Sequence, residues 1–314
     1  MANNTFGART EPPFLLLERP EAYSTTRTFG HRLRDVAVLF KLRLASLVVV
    51  SAVFGYLVGI PAGAFDLNSM VILIIAGTIL TGASNALNQV LEVREDTLMR
   101  RTAERPLVRG TLSTSEAVWA AFIAGGLGTF LLWSTFGPLT GILGFISLFM
   151  YVALYTPFKK RSSWAVFVGA FPGAFPPMLG YVAATGHFDL GAGLLFAMQF
   201  MWQFPHFWAI AWVLDEDYAR AGYRLLPSAG GRDGRSAFLI LLYTLFLIPA
   251  GMLPWVFGLV GPWAMAVALI MGVVMLVPAL VLWNKKEIPA ARRLMFASFM
   301  YLPLVQLAYV LDRI

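Results

Sequence analysis

The sequence of 314 residues contains no cysteine and only three histidines. The absence of cysteine excludes disulfide scaffolds, cysteine-ligated zinc, iron–sulfur clusters and thiol nucleophiles. Charged residues are also scarce, at 13% of the chain, whereas apolar residues make up 58%. Because soluble domains carry about 25% charged residues, this composition indicates a protein of the lipid bilayer. Any metal that it binds must use oxygen or imidazole ligands.

Apolar runs long enough to cross a bilayer, about 20 residues each, recur nine times along the chain. They lie at roughly 38–60, 69–91, 116–134, 139–157, 164–184, 191–214, 236–257, 262–284 and 294–311. The sequence therefore predicts an all-α polytopic membrane protein with nine transmembrane helices. Residues 1–35 are expected to form a cytosolic N-terminal tail, partly disordered, and residues 36–314 the nine-helix membrane domain.

The basic residues fall on one face of this predicted topology. Of the 24 Lys and Arg residues, 23 lie in the N-terminal segment or in four loops, at 92–115, 157–163, 215–235 and 285–293. The positive-inside rule assigns their face to the cytoplasm, so the N-terminus is predicted inside and the C-terminus outside. We expect a bacterial inner-membrane protein, or a protein of the mitochondrial inner membrane if the source is eukaryotic.

Two loops on this face carry acidic residues at the ends of predicted helices. In the first, Asn88, Glu92 and Asp96 are spaced by four residues and form one stripe on a helix. Like charges at this spacing repel each other, so one interpretation is a site for Mg²⁺, which prefers carboxylate, water and phosphate oxygens. The other interpretation is a solvated face at the membrane edge.

The second acidic loop favours the metal interpretation. Asp215, Glu216 and Asp217 follow the sixth predicted span, on the same face and four spans after the first cluster. Two acid-lined rims over one cavity, with Arg and Lys between them, are suited to holding a diphosphate through a metal ion.

Two further features lie at membrane depth. His206 precedes Asp215 by nine residues, which places it about 13 Å below the rim on a continuous helix. An ionisable residue at this depth is a candidate site residue, and imidazole is a common axial ligand of heme iron. The alternative is a neutral histidine hydrogen-bonded inside the bundle. The proline-rich segment 172–177 is predicted to break the fifth span and to line a pocket.

One motif resembles the first aspartate-rich motif of the UbiA superfamily of intramembrane prenyltransferases. It reads Asn88-x3-Glu92-x3-Asp96-x2-Met99-x-Arg101-Thr102-x2-Arg105-Pro106. Its second half, together with segments 155–161, 202–209, 217–222 and 226–227, is most similar to the heme O synthase branch. The chain departs from the family at Glu92, where Asp is usual, and in the second loop, where the common pattern is Asp-x3-Asp.

The resemblance implies a Mg²⁺-dependent enzyme that transfers the farnesyl group of farnesyl diphosphate to a vinyl group of heme b, which is substrate rather than prosthetic group. The catalytic residues implied are Asn88, Glu92, Asp96 and Asp217. The metal ligands implied are Glu92, Asp96, Asp215 and Asp217. The substrate-binding residues implied are Arg101, Thr102, Arg105, Lys159, Lys160, Arg161, Arg220 and His206.

The expected partners are the lipid bilayer and, downstream, heme A synthase or terminal oxidase assembly; no nucleic acid is expected. Two alternatives stay open. The same chemistry could act on an aromatic quinone precursor. The chain could instead be a transporter, although a transporter would be expected to carry charges or paired half-helices near the membrane midplane.

Overall fold

The computed structural model describes residues 29–61 and 63–314. Most of the predicted tail therefore lies outside the described residues. Within the described part, the regular secondary structure is helical apart from one isolated antiparallel bridge between Val260 and Arg313. The helices are α1 (Phe29–Leu39), α2 (Leu42–Gly59), α3 (Leu67–Leu91), α4 (Val93–Leu98), α5 (Thr114–Phe136), α6 (Pro138–Phe149), a π-helix (Met150–Tyr155), α7 (Thr156–Phe158), α8 (Ala165–Thr185), α9 (Leu190–Val213), α10 (Asp215–Arg220), α11 (Gly234–Val256), α12 (Pro262–Lys285) and α13 (Ile288–Leu311).

Eight helical segments are long and apolar enough to cross a membrane: α2, α3, α5, the run Pro138–Phe158, α8, α11, α12 and α13. The chain is therefore a multi-pass membrane protein with an all-α fold, as predicted. Helix α9 has 24 residues but is not among the eight, and its sequence includes two glutamines and a histidine. The count of nine spans accordingly stays a prediction.

Helices α2, α8, α9 and α13 pack together in the interior of the bundle. The α2–α8 contact is the tightest and depends on glycine. A methyl group at Gly55 would lie 1.9 Å from the carbonyl oxygen of Pro177, and one at Gly180 would lie 1.8 Å from that of Ala52. Small residues at such positions let backbones approach closely, which is how helices associate without a hydrophobic driving force in lipid.

Helix α8 is continuous over its 21 residues although three prolines lie inside it. The predicted break of the fifth span at 172–177 is therefore wrong. Pro177 lacks the N–H that would bond to Gly173 O, and the amides of Gln199 and Gln203 on α9 donate to that carbonyl at 2.7 and 2.8 Å. A neighbouring helix thus replaces the lost backbone hydrogen bond inside the protein.

Candidate active site

The first acidic motif lies on two helices joined by a bend rather than on one straight helix. Helix α3 ends at Leu91, Glu92 takes a non-helical conformation (φ −112°, ψ 14°), and α4 follows directly. The backbone bonds from Glu92 N to Asn88 O and from Asp96 N to Glu92 O persist at 3.1 and 2.8 Å. The predicted spacing of the three side chains is therefore kept, while the helix axis bends at the central acid.

We call residues 88–105 the first rim. Its two buried acids, Glu92 and Asp96, are each 1% exposed, and each has a cationic partner. Lys159 Nζ lies 2.8 Å from one oxygen of Glu92 and donates to the other at 3.0 Å. Arg105 donates to Asp96 Oδ2 at 2.5 Å. Asn88 Nδ2 donates to the hydroxyl of Thr156 at 3.1 Å. Both carboxylates are buried and paired with cations, as buried charges must be. The interpretation of this stripe as a solvated face is therefore excluded.

The remaining oxygens of this rim bear on whether a cation fits there. Asp96 Oδ1 and Glu95 Oε2 are buried without a hydrogen-bond partner in the described structure. Burial raises the pKa of Asp96, and the nearby Arg105 guanidinium opposes that rise. No group of three or more acidic or histidine side chains converges tightly enough among the described residues to form a closed metal cage. The site therefore offers a few carboxylate oxygens that have no hydrogen-bond partner, rather than a complete set of ligands. This fits Mg²⁺, which keeps waters and substrate phosphate oxygens as its other ligands.

The second acidic loop repeats the same architecture. Helix α9 bends at Leu214 (φ −103°, ψ 14°) into the short α10. Only Asp217 reaches the first rim, where it accepts the backbone N–H groups of Arg100 and Arg101 at 2.9 and 3.4 Å. Arg220 approaches Asp217 within 3.5 Å. Asp217 therefore joins the two rims.

Asp215 and Glu216 lie on the other side of α10. Arg232 approaches them at 3.8 and 3.1 Å and also donates to Trp212 O at the end of α9. Burial raises the pKa of Asp215, and Arg232 opposes that rise. The structure thus separates Asp217, which is directed to the first rim, from the two acids that are held by Arg232.

Two residues that the sequence analysis did not assign also reach this cluster. Tyr223 is 2% exposed, and the Lys159 ammonium lies 4.7 Å from the centre of its ring. Burial and the charges of Glu92 and Glu95 raise the pKa of Tyr223. The second is Lys41, which lies beside the last turns of α3, because Gln89 and Asn85 donate to the carbonyls of Leu39 and Phe40 just before it. No spacing in the sequence marks either residue, because each is brought in by a loop distant along the chain.

The chain that carries these two acidic loops is similar to known proteins. The chain matches the UbiA prenyltransferase family over residues 48–302. It is 46% identical over 278 residues to a protoheme IX farnesyltransferase of Cytophaga hutchinsonii, covering 88% of this chain and 96% of the relative. The chain belongs to the UbiA prenyltransferase family.

Solved structures share the fold of this UbiA member. A digeranylgeranylglyceryl phosphate synthase aligns with a TM-score of 0.75 at 16% identity, over 90% of this chain and 98% of that chain. A UbiA homolog from Archaeoglobus fulgidus, bound to GPP and Mg²⁺, aligns with a TM-score of 0.64 at 12% identity, over 88% and 99%. The predicted resemblance to the superfamily is confirmed.

The other predicted substrate-binding residues lie around the first rim. Lys160 pairs with Glu95 at 2.7 Å, and with Arg161 it lines a cleft of about 180 Å³ beside the end of α3. Thr102 donates to the backbone carbonyl of Asp96 at 2.9 Å, so it supports the loop through its hydroxyl group. The Arg101 guanidinium lies 5.9 Å from the ring centre of Tyr218.

His206 lies apart from the rims, in the interior of the bundle. Its ring stacks on Trp202 with the ring centres 4.1 Å apart, and its Nδ1 lies 2.8 Å from the hydroxyl oxygen of Ser298. That hydroxyl donates its own hydrogen to Met295 O, so its oxygen accepts a hydrogen bond from Nδ1–H, and in the neutral ring Nε2 then carries no proton. An unprotonated Nε2 is the form that binds metals.

Proposed function

We propose that this protein transfers the farnesyl group of farnesyl diphosphate to a vinyl group of heme b, which yields heme O and diphosphate. The support is the rim geometry, in which buried carboxylates alternate with Lys and Arg, together with the identity to curated relatives that bear the name protoheme IX farnesyltransferase. The UbiA homolog from Archaeoglobus fulgidus, which shares the fold, has been solved with GPP and Mg²⁺ bound.

The carboxylates Glu92, Asp96 and Asp217 would hold Mg²⁺, with Asn88 as a neutral oxygen donor. Bound there, Mg²⁺ would neutralise charge on the diphosphate and stabilise it as a leaving group. Asp215 instead pairs with Arg232, which also donates to the end of α9, so its role is to stabilise the second loop. Of the two predicted ligands in the second loop, Asp217 is the one that we retain.

The cations complete the diphosphate site. On substrate binding, Lys159 and Arg105 exchange their carboxylate partners for phosphate oxygens, with Arg101 and Arg220 at the edge. Charge-assisted contacts of this kind are the strongest that side chains make to phosphate. Loss of diphosphate leaves an allylic cation on the farnesyl group, and the heme vinyl carbon attacks that cation. Water then adds to the resulting heme-side cation and releases one proton to solvent, which leaves the hydroxyl group, so no protein nucleophile is needed.

The acceptor side of the site is proposed around His206. Its unprotonated Nε2 is available to the heme iron, and Lys160 and Arg161 offer cations for the propionates at the rim. With both contacts made, the macrocycle would lie between the bundle interior and the first rim.

We infer that α9 is a ninth span. It is 24 residues long and packs against α8, α11 and α13. Nine spans keep the two rims on one face, which the basic loops assign to the cytoplasm. The N-terminus is then inside and the C-terminus outside.

The observation that carries the proposal is the pairing of Glu92 and Asp96 with Lys159 and Arg105 at the end of α3. Membranes that contain the chain should convert heme b to heme O in the presence of farnesyl diphosphate and Mg²⁺, as measured by chromatography of extracted heme. Glu92→Gln and Asp96→Asn should abolish conversion while the protein still inserts. An untouched heme pool with the wild-type chain would contradict the heme acceptor and leave an aromatic acceptor to be tried.

A further inference from the structure

The break between α1 and α2 presents Lys41 in an unusual backbone conformation. Its φ and ψ are 47° and 50°, in the left-handed region, and only one other non-glycine residue of the described chain, Lys286, has a positive φ. L-residues other than Gly, Asn and Asp enter this region rarely. Lys286 ends a helix, where the conformation is common, whereas Lys41 begins one.

Two buried amides on the helix of the first rim hold this break in place. Gln89 Nε2 donates to Leu39 O at 2.6 Å, and Asn85 Nδ2 donates to Phe40 O at 3.4 Å. Asn85 and Gln89 are 3% and 1% exposed, and they lie on the same last turns of α3 as Asn88. The position of Lys41 is therefore fixed relative to the first rim.

Lys41 follows directly on the two carbonyls that Gln89 and Asn85 hold, so its backbone lies beside the end of α3, where the first rim begins. Its side chain is half-buried and makes no capping hydrogen bond to α2. Burial, together with the cations Arg105 and Lys159, lowers the pKa of Lys41 to about 7.

The salt bridges of the site leave some of its cations without an acidic partner in the described part of the chain. Glu92 pairs with Lys159, and Asp96 pairs with Arg105. Among the described residues, no salt bridge joins Lys41 or Arg101 to a carboxylate. The site thus holds more cations than it neutralises, which suits a ligand with several negative charges.

We propose that Lys41 is a binding residue for the diphosphate of the prenyl substrate, and that Asn85 and Gln89 are the positioning residues that hold it there. This inference rests on the proposed function, because it assumes that the rims bind a diphosphate.

The test uses variants that remove the charge without straining the backbone. Glycine adopts the left-handed conformation without steric cost, so Lys41→Gly keeps the break and removes the ammonium. Lys41→Arg keeps a cation. Lys286→Gly is the matched control, since Lys286 is exposed and has the same backbone conformation. The probe is inorganic pyrophosphate with Mg²⁺, titrated into the detergent-purified full chain by calorimetry.

We expect Lys41→Gly to raise the Kd for pyrophosphate about 10- to 100-fold, the size of a charge-assisted contact. Lys41→Arg should stay within about threefold of wild type and Lys286→Gly should match it. Gln89→Leu should weaken pyrophosphate binding and leave the KM for heme unchanged. If Lys41→Gly unfolds, Lys41→Asn, which also tolerates the conformation, replaces it.

A Kd for the glycine or asparagine variant within twofold of the Lys286→Gly control would overturn the role of Lys41. The two proposals fail separately. A wild-type chain that binds pyrophosphate and does not alter heme contradicts the proposed function, while the comparison of Lys41 variants stays decisive for Lys41.

Discussion

At the scale of single residues, the buried pair of Asp96 and Arg105 has two roles that can be separated. Arg105→Gln should destabilise the protein by about 3–5 kcal/mol, because it leaves a buried carboxylate without its cation. The double variant Asp96→Asn/Arg105→Gln removes both charges and should recover most of that loss. Thermal unfolding in detergent measures the stability of all three variants.

Activity should behave differently from stability in this cycle. The double variant should remain inactive, because metal and phosphate contacts are both lost. If stability did not recover in the double variant, the pairing of Asp96 with Arg105 would not be the dominant interaction of these residues.

His206 gives a second prediction at this scale. His206→Ala should reduce heme affinity and shift the Soret band of bound heme, because Nε2 is available to the iron. Pyrophosphate binding should change little, since the rim lies about 13 Å away along α9. Heme titration followed by absorbance measures the first effect and calorimetry the second.

Ser298→Ala is the matched control for His206. It removes the hydroxyl partner of Nδ1 and keeps the imidazole, so it should cost about 1 kcal/mol of stability and leave a heme spectrum close to that of wild type. An unchanged spectrum and heme affinity in a stable His206→Ala protein would remove His206 from the site.

At the scale of the helix, the proline-containing α8 depends on amides from α9. The double variant Gln199→Leu/Gln203→Leu leaves Gly173 O without these donors, and it also removes the Gln199 oxygen that accepts from Ser51 and Gln306. It should cost at least about 1–3 kcal/mol. Adding Pro177→Ala supplies an N–H four residues after Gly173 and should recover part of the loss. Thermal unfolding of the three proteins measures this; an equal loss with and without Pro177→Ala would show that the amides stabilise something other than Gly173 O.

Acidic residues at the other ends of the helices have a structural role. Asp66 and Asp189 accept backbone N–H groups at the starts of α3 and α9, and Asp312 accepts that of Ala264 at the start of α12. Each carboxylate satisfies a donor that a helix N-terminus leaves unpaired. Caps account for these three acids, whereas the paired acids of the rims require a different explanation.

At the scale of the whole molecule, the absence of cysteine allows a direct test of topology. Glu104→Cys and His187→Cys introduce single thiols at exposed positions on the two predicted faces. An impermeant maleimide applied to intact cells should label the cysteine at 187 and should label that at 104 only after the membrane is opened. Labelling of both positions in intact cells would contradict the proposed nine spans, and the parent chain, which has no thiol, serves as the blank.

The sequence by itself determined the features that depend on local composition and spacing. Apolar runs predicted the eight helices that are long and apolar enough to cross a membrane. The four-residue spacing of Asn88, Glu92 and Asp96 predicted a helical register, which the backbone hydrogen bonds keep across the bend at Glu92. The one-sided placement of the basic loops predicts the face on which the site lies, and that face stays a prediction. These signals are local because each depends on residues within one helix or one loop.

Only the tertiary structure decided how distant segments meet. It paired Glu92 with Lys159, chose Asp217 over Asp215 for contact with the first rim, and brought Tyr223 into the cluster. It also kept α8 continuous, because the amides that replace the hydrogen bond lost at Pro177 lie on another helix. Contacts between residues far apart in the chain depend on packing and on the need to compensate every buried charge and polar group, and no spacing in the sequence records them.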